Sequence, residues 1–362
     1  MSGDQSSKTG LVLTGGGAKG AYHVGAMRAI AELGIPVGAV AGASIGALNG
    51  SIVSTADNMQ EAYLTLLDIW QSLASDKVIS LSGSAPAYFT LMTGMGVAFR
   101  AMPVLSAGVP VGNWLAKELG FDIPIMNGEL LDDSHLVNVI ERHTTPEAIK
   151  KGLPLFVSVY ESVDAVSDIL GVLTSSLRLG NTRESDFLHL QNLQNDEMQQ
   201  ALMASAALPL LFRSRKVQGK CYTDGGQGDW YGVGGNTPVK PLVDAGYDNI
   251  IVVHLCDGSA WDRSLYPNTN IIEIRPRNSI ARGNALADVL GFEHKRIQSW
   301  IQQGYEDSMH CLRTVFETIA IHNRLKESRK QLDSSLEQHD ELDQKLDTAM
   351  ARLSTTAVTK TE

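Results

Sequence analysis

The residue best suited to chemistry in this sequence is a serine that stands between two glycines. Gly42-Ala43-Ser44-Ile45-Gly46 follows a short apolar strand, Val37–Ala41, and precedes the first turn of a helix. A strand that turns at once into a helix strains the backbone of its apex residue, and the residues two positions away must be small so that the backbones can pass. The pattern indicates a nucleophile elbow, with Gly42 and Gly46 as the small neighbours and Ser44 in front of a helix N-terminus.

A glycine-rich loop lies upstream of this serine, in Thr14-Gly15-Gly16-Gly17-Ala18-Lys19-Gly20. It follows the apolar strand Leu11–Leu13 and leads into apolar positions at helical spacing, which end at Gly34. Strand, loop, helix and the strand before Ser44 predict a βαβ unit and therefore a parallel sheet. Consecutive glycines beside a serine elbow also expose backbone N–H groups that can form an oxyanion hole.

The same loop has a competing interpretation as a nucleotide-binding loop. Gly15-x-Gly17-x-x-Gly20 satisfies the dinucleotide fingerprint, which requires an acidic residue at the end of the second strand to hold the ribose. That strand ends in Ala41-Gly42-Ala43-Ser44, without a carboxylate, and Lys19 is followed by glycine rather than by the Ser or Thr of a Walker loop. The oxyanion interpretation therefore fits the residues better, and a nucleotide-binding or interaction protein remains the alternative.

The composition is that of a soluble globular protein with a sizeable core: 362 residues, 43% hydrophobic and 19% charged. The net charge of -10 argues against a nucleic acid polymer as partner. The 3 cysteines have no metal-ligand spacing, which predicts buried thiols in a reducing compartment, and we expect no metal and no organic cofactor. The polar N-terminus and the lack of a run of about 18 apolar residues predict neither a signal peptide nor a transmembrane segment, and hence a cytoplasmic protein.

Later segments add strands and a candidate lid. Residues 75–150 are apolar but rich in Gly, Pro and Met, so they predict either a variable lid with an acyl-chain wall or an irregular, packed part of the core. As a wall they would bind substrate through Phe89, Met92 and Met95. Buried strands are predicted at Leu153–Tyr160, Phe187–Leu190, Ile250–Leu255 and Ile271–Ile274.

The C-terminal part of the sequence predicts helix beyond Arg282. Four leucines share one heptad register there, with a histidine at the missing position: Leu325, Leu332, His339, Leu346 and Leu353. Such a helix is typical either of a short coiled coil that joins copies into a homo-oligomer or of a solvated helix packed on its own domain. We therefore divide the chain into a main domain at 1–282, a helical extension at 283–353 and a disordered tail at 354–362.

Four blocks, in order, resemble those of the patatin-like phospholipases. They are Gly15–Gly20, Gly42–Gly46, Ala204-Ser205-Ala206-Ala207-Leu208-Pro209-x-x-Phe212, and Asp224-Gly225-Gly226 followed by Asn236-x-Pro238. The resemblance implies a three-layer α/β fold with a mainly parallel central sheet in the main domain. It also implies a lipid acyl hydrolase of the phospholipase A type, which cleaves acyl ester bonds of glycerophospholipids.

The resemblance implies roles for individual residues as well. Ser44 would attack the ester carbonyl, and Asp224 would accept the serine proton and later activate the hydrolytic water, as a dyad. The oxyanion would be held by the N–H groups of Gly15, Gly16 and Gly17. Lys19 matches a basic position of the family's loop, so its ammonium would lie near the site or be solvated. Because ordinary serine hydrolases follow the order Ser, Asp, His, a triad that adds the strand-end His254 is the alternative.

The expected partners follow from the same resemblance. The enzyme would act as a peripheral protein on a phospholipid membrane surface, and a soluble carboxylesterase on the same dyad is the alternative. Some bacterial members of the family are antiphage effectors switched on by cyclic dinucleotides, so a small anionic activator of this kind is a candidate partner. The basic clusters 213–216 and 275–282 would receive this activator or lipid headgroups, or would serve only as solubilising charge.

Overall fold

The computed structural model describes residues 9–75, 142–163, 181–206, 214–229, 231–258, 260–281 and 292–358. Within these ranges the strands are β1 Thr9–Leu13, β2 Ala39–Ala43, β3 Leu155–Glu161, β4 Asp186–His189, β5 Arg215–Val217, β6 Lys220–Asp224, β7 Asn249–Val253 and β8 Asn270–Ile274. The α-helices of the same ranges are α1 Ala21–Glu32, α2 Ile45–Thr55, α3 Met59–Ser75, α4 Pro146–Lys151, α5 Asn195–Ser205, α6 Lys240–Asp244 and α7 His294–Val358. The proposed acyl-chain wall at Phe89, Met92 and Met95 lies outside the described residues.

The strands form a single mixed sheet in the order β5-β6-β3-β2-β1-β7-β8, with β4 also paired to β3. Strands β3, β2, β1, β7 and β8 run parallel, whereas β4 and β6 pair antiparallel to β3 and β5 pairs antiparallel to β6. The predicted βαβ unit and mainly parallel sheet are thus confirmed. Strand β2 begins at Ala39, two residues later than predicted, and the Gly38 N–H just before it donates to the Thr9 carbonyl oxygen at 2.8 Å.

Helices cover both faces of the sheet, which gives the expected three layers. On one face, α2 packs at Gly50 against Val40 of β2 and Leu155 of β3. On the other face, Leu242 of α6 packs with Val12 of β1 and with its neighbours in a wholly buried cluster. Each fully buried leucine of this kind contributes about 1.5–3 kcal/mol relative to an exposed one. This burial on two faces holds the strand ends, and therefore the elbow, in a fixed position.

The first turns of α7 belong to the main body of the protein, which extends to Met309. Gly304 lies against the backbone of Tyr22 in α1, so a Cβ at residue 304 would overlap that backbone. Asp307 is buried and accepts hydrogen bonds from the Tyr22 hydroxyl at 3.0 Å and from Arg277 Nε at 2.7 Å. The main body therefore extends past the boundary predicted at residue 282, because this part of the helix contributes to the core.

The second unit consists of residues from His310 onwards. Helix α7 continues to Val358, past the predicted boundary at 354, because residues 354–358 contain no glycine or proline that would end a helix. Several large apolar side chains of this helix are more than half exposed: Leu332, Leu336, Leu342, Leu346 and Met350. Among the described residues, no helix is long and apolar enough to cross a membrane.

Candidate active site

Ser44 occupies the apex of the turn between β2 and α2. Its backbone has φ 53° and ψ -128°, a left-handed conformation that costs a non-glycine residue about 1–3 kcal/mol. A Cβ on Gly42 would lie 2.5 Å from the Gly46 carbonyl oxygen, and a Cβ on Gly46 would overlap the Leu13 carbonyl group. Both flanking glycines are therefore required by close backbone approach, as the pattern predicts for an elbow. The side chain of Ser44 lies at the positive end of the α2 dipole.

Asp224 reaches Ser44 through the register of the sheet. Ala43 of β2 pairs with Ser158 of β3, and the next residue, Val159, pairs with Asp224 at the end of β6. The Asp224 carboxylate is buried, and its Oδ1 accepts a hydrogen bond of 2.7 Å from the Gly226 N–H. Two residues that are 180 positions apart in the sequence thus meet across three adjacent strands.

The environment of Asp224 favours proton transfer. Burial raises its pKa from 3.8 to about 6, while the Ser44 hydroxyl and the Gly226 N–H lower it. Its second oxygen, Oδ2, is buried, and no described group makes a well-aligned hydrogen bond to it. Ser44 is therefore close enough to affect this carboxylate without being aligned with it, as is common for catalytic pairs without substrate. An oxygen in this state can accept the proton of a neighbouring hydroxyl.

One of the three N–H groups predicted to hold an oxyanion already has a partner in the fold. The Gly15 N–H donates to Asn236 Oδ1 at 3.0 Å, so it is already engaged. Among the described residues, the N–H groups of Gly16 and Gly17 have no acceptor. Gly17 adopts φ 59°, which favours glycine, and the Lys19 side chain runs alongside Gly16. Within the described ranges, the N–H groups of Gly16 and Gly17 are thus without a protein acceptor, whereas the Gly15 N–H anchors the loop.

His254 forms a separate pair away from the serine. Its Nε2 lies 3.0 Å from Glu273 Oε2 on the neighbouring strand β8, and its ring packs against Trp261 with centroids 6.0 Å apart. Burial alone would raise the pKa of Glu273, but hydrogen bonds from His254 and Arg275 lower it on balance. The structure thus brings Ser44 and Asp224 together and gives His254 another carboxylate.

Behind the glycine loop, Asn49 of α2 joins three segments by hydrogen bonds. Its Nδ2 lies 3.0 Å from the Gly20 carbonyl oxygen and 3.2 Å from His23 Nδ1, and its Oδ1 accepts from Trp70 Nε1 at 3.0 Å. Burial lowers the pKa of His23 to about 3, so this histidine is neutral at physiological pH. The network fixes the end of the glycine loop relative to the helix that carries the nucleophile.

Asn49, Asn236 and Ser205 all hold parts of the site, although no sequence pattern gives any of them a role. One sequence feature could have identified Asn49 as a site residue, because it is a single amide within a helix of otherwise apolar and small residues. Asn236 and Ser205 stood inside recognised blocks, but their partners are far away in the sequence. In the part of the chain that the structure describes, no group of three or more His, Cys, Asp or Glu side chains could hold a metal ion.

The fold, together with the strand ends that carry Ser44 and the glycine loop, defines the class of protein: an α/β protein with a serine elbow beside a glycine loop. Residues 11–243 match the family model described as "Patatin-like phospholipase", which covers more than half of the chain. The chain belongs to the patatin-like phospholipase family. Membership of this family supports a lipid hydrolase activity.

Individual relatives are similar either over a short segment or over most of the chain at low sequence identity. A segment of 43 residues, 12% of this chain, is 63% identical to the neuropathy target esterase sws of Drosophila melanogaster and of Drosophila erecta, and it spans only 3% of the length of either relative. The solved structure of VipD from Legionella pneumophila is 15% identical, with a TM-score of 0.36, over 85% of this chain and 67% of that one. The type III effector protein ExoU is 16% identical, with a TM-score of 0.36, over 85% of this chain and 53% of that one.

Proposed function

We propose that this chain is a phospholipase A-type enzyme that cleaves acyl ester bonds of glycerophospholipids with Ser44 and Asp224 as its catalytic dyad. The observation that carries the proposal is the buried Asp224 Oδ2, which has no aligned partner among the described residues and lies beside the strained serine of the elbow. Family membership supports a lipid ester as the substrate. The pairing of His254 with Glu273 supports a dyad over a triad.

In the first half of the reaction, Ser44 Oγ attacks the ester carbonyl carbon while Asp224 accepts the hydroxyl proton. The negative charge that develops on the carbonyl oxygen is stabilised by the N–H groups of Gly16 and Gly17 and by the N-terminus of α2. The tetrahedral intermediate then collapses, the ester C–O bond breaks, and Asp224 returns its proton to the leaving lysophospholipid oxygen. The fatty acyl group remains bound to Ser44 as an ester.

In the second half, a water molecule attacks this acyl ester while Asp224 accepts a proton from it. Collapse of the second tetrahedral intermediate releases the fatty acid, and the proton on Asp224 passes to Ser44 Oγ. A pKa of about 6 suits both directions of transfer, because the carboxylate is mostly ionised at neutral pH yet basic enough to accept a proton.

The test of this proposal is the release of fatty acid from mixed phospholipid vesicles, with and without an added cyclic dinucleotide. Ser44→Ala and Asp224→Asn are expected to abolish release. Ser51→Ala is the matched control, because Ser51 is buried in the same helix and its hydroxyl donates only to the local Leu48 carbonyl oxygen, at 2.7 Å. The control should retain release close to that of the wild type.

A soluble short-chain ester separates the alternative from the proposal. Hydrolysis of that ester without any release from vesicles would identify a soluble carboxylesterase on the same dyad. Release that survives Ser44→Ala in folded protein would refute the dyad. An increase in vesicle activity on adding the cyclic dinucleotide would support a small anionic activator. Lys19 is a separate candidate, as a contact for the lipid headgroup, and Lys19→Met tests it.

The same proposal includes a homo-oligomer formed through the C-terminal helix. The exposed Leu332 and Leu346 lie 14 residues apart, in one heptad register, and such a seam is stable in water when a second helix covers it. Leu332→Glu with Leu346→Glu is expected to convert an oligomer into a monomer in sedimentation velocity. Ser334→Glu with Thr348→Glu places the same charges at exposed positions outside the seam and should leave the oligomer intact. A monomeric wild type would contradict this assembly.

A further inference from the structure

A single hydroxyl links the nucleophile to two other segments of the main body. The backbone N–H of Ser44 donates to Ser205 Oγ at 2.9 Å, and Ser205 Oγ donates to the Ser158 carbonyl oxygen at 2.7 Å. Ser205 is the last residue of α5 and is wholly buried. One side chain therefore connects the elbow, strand β3 and helix α5 where solvent cannot replace it.

This hydroxyl stands where the ladder between β2 and β3 ends. The last backbone pair of that ladder is Ala43 with Ser158, because the chain turns into α2 at Ser44. The turn removes the Ser44 N–H from its next backbone partner on β3. A buried N–H or C=O without a partner costs about 1–3 kcal/mol. Ser205 satisfies one group of each kind and so extends the ladder by one side-chain link.

The same contact bears on the base of the dyad. Gly225, next to Asp224, packs so tightly on Ser158 that a Cβ at residue 225 would overlap the Ser158 carbonyl group. The Ser158 carbonyl thus receives the Ser205 hydroxyl and also supports the loop that carries Asp224. A shift of this carbonyl would move the base, just as a shift of the Ser44 N–H would move the nucleophile.

We propose that Ser205 is a positioning residue, whose hydroxyl holds the strained Ser44 backbone and the support of Asp224 in the geometry that the reaction needs. This inference rests on the proposed function, since it assigns Ser205 to the Ser44–Asp224 dyad. The role requires a group that accepts and donates at once, which a hydroxyl can do and a methyl group cannot. The strain at Ser44 explains why such a support is needed, since a left-handed serine persists only where its surroundings hold it.

The experiment compares Ser205→Ala and Ser205→Thr with Ser54→Ala in the full chain. Ser54 is the matched control: it is buried, its hydroxyl donates to the Leu153 carbonyl oxygen at 2.6 Å, and this bond also joins a helix to the chain that enters β3. We measure kcat and KM on a soluble ester, the thermal midpoint of unfolding, and hydrogen exchange in the peptide that covers Ser44.

Ser205→Ala is expected to lower kcat by about 10- to 100-fold, with KM changed less than about twofold, since misplacement of reacting groups affects the rate more than binding. It should also accelerate exchange at Ser44. Both Ser205→Ala and Ser54→Ala are expected to lower the thermal midpoint of unfolding by a similar amount, because each loses one buried hydrogen bond. Ser54→Ala should nevertheless keep kcat within about twofold of the wild type. Ser205→Thr, which keeps the hydroxyl, should recover most of the lost kcat.

The inference is overturned if folded Ser205→Ala keeps the kcat of Ser54→Ala, or if exchange at Ser44 does not change. Equal losses of kcat in equally stable Ser205→Ala and Ser205→Thr would also overturn it, since the hydroxyl would then have no role. Failure of the proposed function has a different signature: either the wild type does not hydrolyse the ester, or its hydrolysis survives Ser44→Ala. The exchange measurement reports the Ser205–Ser44 hydrogen bond in either case.

Discussion

Asp224 and Glu273 are two acidic side chains near the edge where the parallel strands end, and their surroundings differ. Glu273 Oε2 receives hydrogen bonds from His254 and Arg275, which hold its pKa below the usual value. Asp224 has one oxygen bound by the Gly226 N–H and the other without an aligned partner among the described residues, and burial raises its pKa to about 6.

The difference between the two carboxylates separates a structural role from a chemical one. A carboxylate that accepts hydrogen bonds from a guanidinium and an imidazole is stabilised as an ion and has little tendency to accept a proton. A buried carboxylate with an unfilled site is poised to accept one, and pKa values perturbed in this way cluster at functional sites. A histidine near an acid is thus insufficient to define a triad, since His254 pairs with Glu273, the carboxylate whose pKa is lowered.

The largest expected effect is the contrast between variants of the two regions. Asp224→Asn should lower kcat by about 10³- to 10⁴-fold, the scale of losing one member of a catalytic unit. His254→Ala should keep kcat within a few-fold and instead reduce the free energy of unfolding by about 1–3 kcal/mol, because Glu273 loses a buried partner. Ester hydrolysis and chemical denaturation measure the two quantities. A folded but inactive His254→Ala would support a Ser44-Asp224-His254 triad instead of the dyad.

The next effect is the dependence of the rate on pH. The dyad requires ionised Asp224, so kcat/KM should rise with pH, reach half its maximum at about pH 6 and fall about tenfold for each unit below that. A soluble ester, hydrolysed at pH values where the fold is intact, gives the profile. A limb centred near pH 4 would mean that the base is an ordinary carboxylate, unlike the buried Asp224.

A smaller effect is expected at the anchor of the glycine loop. Asn236→Ala removes the acceptor of the Gly15 N–H and should lower kcat by about tenfold, because Gly16 and Gly17 lose their fixed position. Asn236→Asp keeps an acceptor but adds a negative charge near the dyad. That charge should raise the pKa of Asp224 and move the acidic limb to higher pH. An unchanged limb in Asn236→Asp would show that this side chain is too distant to act on the base.

The smallest expected effect is on stability. The pKa of Asp224 is higher in the folded protein than the 3.8 of an exposed aspartate, so the folded state binds more protons between about pH 4 and 6 and loses stability as pH rises through that window. Asp224→Asn carries no such charge and should unfold a few degrees higher than the wild type at pH 7.5. The difference should shrink towards pH 4. Thermal scans at both pH values test this, and an equal difference at both would mean that desolvation of the charge is not its cause.

The elbow and its sheet were predictable because their signals are local. Gly42, Ser44 and Gly46 lie within five residues, and the steric need for two small neighbours follows from the chain direction alone. The βαβ unit follows from consecutive apolar segments in the same way. The domain boundary at residue 282 was placed where the predicted helical region begins, since only packing against α1 shows that residues 294–309 of that region belong to the main body.

By itself, the sequence determined which residues could react: a serine at a strained turn, glycines beside it, and an aspartate at a strand end. Only the tertiary structure decided what each of them contacts. Asn236 holds Gly15 across 221 positions and Ser205 holds Ser44 across 161 positions, and both contacts depend on strand order and register. Hydrogen bonds between distant segments have no sequence period, so the engaged N–H of Gly15, the partner of His254 and the unfilled oxygen of Asp224 became visible only when the sheet brought those segments together.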